Sequence, residues 1–170
     1  MIQLNKKSLL MSVMSLIIIF LSNFTYASWN VKINSEGENK KGLYKNFVII
    51  GVDVDQQLKA APPRPPIFSS LLRLIPYDWS SPLLKDIKSQ DDNFIQWTLA
   101  VNPGGNIINS SQSKTILSWN PESFGDGHFE LRQGWDGSGE VIISDMKKTT
   151  NLEVTGGNED IYFTIIMREE

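Results

Sequence analysis

The chain has 170 residues, 41% of them hydrophobic, with 16 Lys and Arg against 19 Asp and Glu and a formal net charge of −3. It contains no cysteine and a single histidine, His128, which excludes disulfides, thiol catalysis, cysteine-bound zinc and a site built from several histidines. The basic residues are interspersed with acids, so nucleic acid is not an expected partner.

The first 27 residues have the pattern of a secretory signal peptide. Lys6 and Lys7 precede an apolar run over residues 9–21, and small residues lead to Ala27. A membrane anchor is the alternative, but the run is shorter than the roughly 20 residues that span a bilayer. Cleavage after Ala27 would leave 143 residues with 14 basic and 19 acidic side chains, a formal charge of −5. We therefore expect an exported bacterial protein that is periplasmic, cell-surface or extracellular and has no stable membrane span.

From residue 28 onward, short stretches with a two-residue hydrophobic period alternate with turn signals. Residues 34–42 are polar and predict a loop, whereas residues 67–75 fit a short helix or an edge strand, and residues 83–92 are ambiguous. Gly51 predicts a bulge or a close backbone approach. The predicted strands are residues 28–33, 46–54, 93–101, 114–119, 128–133, 141–146, 151–156 and 160–167.

These seven or eight strands, with no sustained helical period, predict an all-β fold. The expected architecture is an antiparallel immunoglobulin-like β-sandwich of seven to eight strands, although several Greek-key barrels would give the same pattern. We expect a single domain over residues 28–170, with a proline-rich crossover at residues 62–82.

Four blocks together resemble a known type of module: GVDVDQQLKAAPPRPP, LLKDIKSQDDNFIQWTLAV, TILSWNP and VIISDMKKTTNLEV. In this order they resemble an immunoglobulin-like or fibronectin-like β-sandwich module of secreted bacterial multidomain proteins, over roughly residues 47–167. The resemblance implies a spacer, adhesive or assembly role and supplies no catalytic residues. Because the module stands alone behind its own signal peptide, we expect a subunit rather than a spacer.

The tryptophans divide by their setting. Trp97 and Trp119 lie inside apolar strand runs and are expected in the core. Trp79 and Trp135 lie in predicted loops, where an exposed indole can stack on a sugar ring or on a protein partner. The alternative is that each folds back to cap the sandwich.

The acidic residues raise the possibility of a structural calcium ion. Asp53 and Asp55 are two apart on a predicted strand, and Asp136 and Glu140 lie in a glycine-rich loop. Neither pair matches a complete calcium loop, and short acidic residues also end strands and turns. We favour the second explanation, and expect no cofactor.

The proline cluster PPRPP cannot join the middle of a sheet, because proline lacks the backbone donor. We favour a strand end and an edge-guarding linker over a docking peptide. A sharper hypothesis is that residues 62–75 form a partner surface, with Leu71 and Leu72 joining Tyr77 and Trp79 in an apolar patch.

The sequence thus predicts an exported, non-catalytic binding or assembly module. The expected partner is an envelope or extracellular protein or a second copy of the chain. The alternative is a carbohydrate-binding module that uses Trp79 and Trp135. Hydrolysis would require two acids flanking a cleft, and no sequence motif indicates such a cleft.

Overall fold

The structure is a computed structural model that describes residues 27–39, 42–63, 71–90, 95–104, 113–157 and 159–168. Within these ranges the chain is all-β, with eleven strands, no α-helix and one 3-10 turn at Pro121–Ser123. The strands are β1 (Trp29–Asn39), β2 (Gly42–Asp53), β3 (Gln57–Ala60), β4 (Leu71–Ile75), β5 (Leu83–Ser89), β6 (Ile95–Asn102), β7 (Ser113–Ser118), β8 (His128–Gln133), β9 (Val141–Ile143), β10 (Asn151–Gly156) and β11 (Ile161–Arg168).

The strands form one mixed sheet that curls into a half-barrel. Their order is β10-β7-β1-β2-β5-β4-β6-β11-β8-β9, and β3 pairs with β5 off this path. Strands β2 and β5 run parallel, whereas the other described pairs are antiparallel. Strands β4 and β5 share a single residue pair, Leu74 with Leu83. The sheet is therefore nearly divided there into a first half (β10, β7, β1, β2, β5, β3) and a second half (β4, β6, β11, β8, β9).

The two halves enclose a common hydrophobic core. Trp29 of β1 lies edge-on to Trp97 of β6 and Phe129 of β8, with ring centroids 5.8 Å and 5.1 Å apart. The indole of Trp97 donates a hydrogen bond to the backbone oxygen of Asp86 at 3.0 Å, and that of Trp119 is likewise satisfied. Trp97 and Trp119 are 1% and 5% exposed, so their predicted core positions are confirmed.

The all-β prediction is confirmed, but the strand count and the purely antiparallel pairing are not. Of residues 34–42, predicted as a loop, residues 34–39 instead extend β1 and Gly42 begins β2, and the two strands pair as far as Asn39 with Gly42. The polar side chains of residues 34–36 are compatible with a strand because they alternate between the two faces: Asn34 and Glu36 are exposed, and Ser35 is buried.

The crossover at residues 62–82 contains a strand that the sequence left undecided. Strand β4 lies inside the sheet, between β5 and β6, and Leu71 and Leu72 are 4% and 2% exposed. The predicted apolar partner patch is therefore wrong for these two leucines. Pro62 and Pro63 follow β3 and lie outside the strands, as expected, whereas residues 64–70 lie outside the described residues.

Residues 1–26, which carry most of the predicted signal peptide, also lie outside the described residues. In the part of the chain that the structure describes, no helix has the length and hydropathy needed to cross a membrane.

Candidate functional site: an aromatic cleft between β5 and β6

A cleft opens on the outer side of the sheet where β4 stops short. Strand β4 ends at Ile75, opposite Thr98 of β6, whereas β6 begins at Ile95 and β5 runs on to Ser89. The space left between β5 and β6 is a cavity of about 410 Å³. This volume lies within the range of roughly 300–1,000 Å³ that is typical of small-ligand sites.

One wall of the cleft is the turn between β4 and β5, which carries Tyr77 and Trp79. The Trp79 N–H donates to the Pro76 carbonyl at 2.9 Å, and the Asp78 carboxylate accepts from the Ser80 N–H at 3.0 Å. These bonds hold Trp79 at a φ of 56°, a left-handed conformation that is rare for a bulky side chain. The Ser80 side chain and N–H also hold the pKa of Asp78 below its ordinary value.

The opposite wall is the loop between β8 and β9, which folds back over β6 and β11. The Gly134 N–H donates to the Tyr162 carbonyl at 2.8 Å, and the Thr164 hydroxyl donates to the Gly134 carbonyl at 2.9 Å. The Thr98 hydroxyl donates to the Trp135 carbonyl at 2.9 Å. This network places the Trp135 indole in the cleft.

The predicted turn at Asp136 and Gly137 completes this loop. Gly137 has a φ of 78°, which glycine adopts without steric cost. The Asp136 carboxylate accepts from the Ser138 N–H at 3.0 Å and from the Ser138 hydroxyl at 2.8 Å. These two hydrogen bonds, the backbone one first, lower the pKa of Asp136, which also lines the cleft.

The folding of both walls brings distant aromatic residues together. The Trp79 ring lies 5.8 Å from the Trp135 ring, with a 59° angle between their planes, and 5.8 Å from the Tyr162 ring, with a 71° angle. Trp79 and Trp135 are each 51% exposed, and Tyr77 is 90% exposed. Both loop tryptophans singled out from the sequence are therefore half-exposed members of one aromatic cluster.

Hydrogen-bonding side chains from both strands line the same cleft. Asp86 and Lys88 come from β5, and Gln96 and Thr98 come from β6. The Asp86 carboxylate is ion-paired with the Lys88 ammonium at 2.9 Å. A cleft with aromatic walls and paired hydrogen-bond donors and acceptors can take a ligand that has both apolar faces and hydroxyl groups.

The acids considered as calcium ligands either lie outside the cleft or accept hydrogen bonds from neighbouring residues. Asp53 accepts hydrogen bonds from the Ser28 hydroxyl, the Val54 N–H and the Gln57 amide, and the Ser28 bond foremost lowers its pKa. Strand β2 ends at Asp53, so Asp55 does not share a strand face with it. Glu140 is exposed. Across the described ranges, no three His, Asp or Glu residues converge in a group that could hold a metal ion.

The sequence did not identify several residues of the cleft. Lys88, Gln96 and Thr98, which line the cleft, and Tyr162, which packs against Trp79, carried no motif, although each alternates with buried residues along its strand. That alternation marks an outward face but does not show which outward residues meet. Their meeting depends on where β4 ends and on how the loop after β8 folds back.

Comparison of the chain with protein-family models, with curated proteins and with solved structures finds no match.

Proposed function

We propose that the protein is a non-catalytic carbohydrate-binding module and that the aromatic cleft is its binding site. The observation that carries the proposal is the contact between Trp79, in the turn between β4 and β5, and Trp135, in the loop between β8 and β9. Their ring centroids lie 5.8 Å apart, and both side chains line the cleft. Half-exposed indoles are costly to leave in water, and a cluster of them marks an interaction site.

The composition of the cleft favours a sugar over a purely apolar ligand. A pyranose ring presents C–H groups on its faces, which pack on aromatic rings, and hydroxyl groups on its rim, which need hydrogen-bonding partners. Trp79 and Trp135 supply the packing surface. Lys88 supplies donors, Asp86 supplies acceptors, and Gln96 supplies both.

The acids of the cleft argue for binding without hydrolysis. A glycosidase needs two carboxyl groups, one of which must hold a proton near neutral pH through a raised pKa. The pKa of Asp136 is instead lowered by its bonds from Ser138. Asp86 is engaged in its ion pair with Lys88. We accordingly expect no release of reducing ends when the protein is incubated with oligosaccharides.

The test is isothermal titration calorimetry of residues 28–170 with soluble glucan, xylan, mannan and chitin hexasaccharides. We expect at least one hexasaccharide to bind, and Trp135→Ala to weaken it about thirtyfold, since truncating a central tryptophan costs about 2 kcal/mol or more. The control is Leu43→Ala, because Leu43 is 56% exposed and does not line the cleft. Unchanged binding by Trp135→Ala would refute the proposed site.

Assembly with an envelope or extracellular protein is the second candidate function. It is favoured by the edge strand β9, where Val141 and Ile142 are 39% and 38% exposed. An exposed apolar edge strand is a surface on which another chain can pair. In-cell cross-linking followed by mass spectrometry tests it. Links that cluster on β9 would support assembly, and links that vanish with Trp135→Ala would assign the partner to the cleft.

The export and fold proposals rest on different observations. Export to the periplasm, cell surface or medium rests on the signal-peptide pattern of residues 1–27 and is tested by fractionation and N-terminal sequencing of the mature chain. An immunoglobulin-like relationship is supported by the mostly antiparallel pairing around one core, and the parallel β2–β5 pair counts against it.

A further inference from the structure

The deepest polar group of the cleft is the carboxylate of Asp86. Its side chain is 5% exposed and lines the cavity. One oxygen, Oδ2, is ion-paired with Lys88 Nζ at 2.9 Å. The other oxygen, Oδ1, is buried and has no hydrogen-bond partner among the described residues. Buried polar atoms are nearly always satisfied, so an acceptor without a partner, on a side chain that lines a cavity, indicates a group that arrives from outside.

The surroundings of Asp86 determine which kind of group fits. Lys88 places a positive charge against Oδ2, so a cationic ligand would approach a like charge as well as the carboxylate. A hydroxyl group meets no such conflict: it donates to Oδ1, and a neighbouring hydroxyl can accept from Lys88. The pair Asp86 and Lys88 is therefore matched to two adjacent hydroxyl groups of a neutral sugar.

The aromatic walls determine the form of the ligand. The Trp79 plane is inclined by 59° to that of Trp135 and by 71° to that of Tyr162. Rings that bind a flat crystalline polysaccharide must lie in one plane, which these do not. The inclined indoles of Trp79 and Trp135 line a cavity of about 410 Å³ and would instead contact one or two sugar units on more than one side.

We infer that the cleft takes a single, neutral, soluble glycan chain, and that Asp86 Oδ1 selects it by accepting a hydrogen bond from one defined hydroxyl group. This inference rests on the proposed carbohydrate-binding function and adds a specificity-determining residue to it. Asp86 acts by contact with the ligand, and the tryptophans supply packing that tolerates different sugars.

The first experiment is Asp86→Asn, assayed with the soluble hexasaccharides and by pull-down on crystalline cellulose and crystalline chitin. Because Lys88 keeps the amide oxygen on its side, the amide nitrogen would replace Oδ1 and turn the acceptor into a donor. We expect binding to weaken about ten- to hundredfold, the usual effect of losing a hydrogen bond to a charged group. The matched control is Asp126→Asn, an exposed acid outside the cleft, which should leave binding unchanged.

The second experiment uses the unmodified protein, since Asp86→Asn changes a buried residue. Monodeoxy analogues of the bound hexasaccharide are titrated one position at a time. We expect the unmodified protein to bind one analogue at least tenfold more weakly than it binds the parent hexasaccharide. The Asp86→Asn variant, where it folds, should bind that analogue and the parent hexasaccharide with equal affinity.

The outcomes separate the inference from the proposed function. If Trp135→Ala abolishes binding but no deoxy analogue is discriminated, the carbohydrate function stands and the role of Asp86 is wrong. If only the crystalline polysaccharides are bound, the function stands and the single-chain ligand is wrong. If neither the soluble hexasaccharides nor the crystalline polysaccharides bind, both fail.

Discussion

At the scale of single residues, Trp79 combines a strained backbone with an exposed ring. Its φ of 56° costs about 1–3 kcal/mol for a residue other than glycine, and half of its side chain remains in water. A position that is unfavourable for stability in both respects is consistent with the proposed role of its ring in ligand binding.

Trp79→Gly is therefore expected to separate folding from binding. Glycine relieves the left-handed strain but gives up the partial burial of the indole, so the melting temperature should stay within a few degrees. Glycan affinity should fall about tenfold or more, because the ring that faces Trp135 is gone. Calorimetry and thermal melting check both values. A large loss of stability would mean that Trp79 is mainly a packing residue.

Gly51 illustrates the opposite case, a residue required by the fold alone. A Cβ at this position would collide with the Trp29 carbonyl oxygen and with the Asn30 Cα on the paired strand. Gly51→Ala should cost about 1–3 kcal/mol, measured by urea unfolding. The control is Gly156→Ala, where the added Cβ meets first the flexible end of Ile161 and should cost less. Equal costs would contradict this explanation.

At the scale of elements, β6 shows how one strand serves both core and site. Ile95, Trp97, Leu99 and Val101 face the core, and the alternating residues Gln96 and Thr98 line the cleft. The alternation was readable from the sequence because a strand repeats every two residues. The partner of the outward row was not readable, because it comes from the loop after β8 and depends on hydrogen bonds to β6 and β11.

Thr98→Val tests whether that loop is held in place by β6. The substitution keeps the shape of the side chain but removes the hydroxyl that donates to the Trp135 carbonyl. We expect glycan affinity to fall severalfold, with unfolding free energy reduced by about 1 kcal/mol. Thr155→Val on β10 is the control, since Thr155 is exposed and does not line the cleft. Identical affinities of the two variants would show that the loop positions Trp135 without Thr98.

The pattern of residues along each strand explains which elements could be predicted from the sequence and which could not. Residues 128–133 and 151–156 were predicted with the observed bounds, because alternation there is regular. Strand β3 was missed because all four residues are exposed and give no alternation. Strand β4 has four buried residues in a row, including Arg73, a pattern that fits a helix as well as a strand.

At the scale of the whole molecule, a buried acid links stability to pH. Glu130 of β8 is 6% exposed and accepts from Arg132 Nε and Arg168 Nη2, both at 2.8 Å. Burial by itself raises the pKa of Glu130, but the Arg132 hydrogen bond and the charges of Arg132, Arg168 and His128 outweigh it and lower the pKa. A lowered pKa means that the folded state favours the ionised form, so this contribution is complete above the unfolded pKa.

Glu130→Gln should therefore destabilise the protein at neutral pH and matter less in acid. We expect a loss of about 2 kcal/mol at pH 7, because the amide oxygen can still accept from both arginines but the negative charge that strengthened the two hydrogen bonds is gone. The difference from the wild type should shrink as the pH falls below the ordinary glutamate value of 4.5 and through the lower folded value. Urea unfolding from pH 7 to pH 3 measures it, and parallel stability curves would contradict the assignment.

Because β4 and β5 share only the Leu74–Leu83 pair, a ligand in the cleft would connect two halves of the sheet that are otherwise joined weakly there. Asp86 and Lys88 belong to one half of the sheet, whereas Gln96, Thr98 and Trp135 belong to the other. A glycan bound between these residues would contact both halves of the sheet and restrain their separation. The backbone amide protons of β5 and β6, the strands that carry these residues, would then exchange with solvent more slowly in the complex. Those of β10, at the far edge of the sheet, would keep their exchange rates.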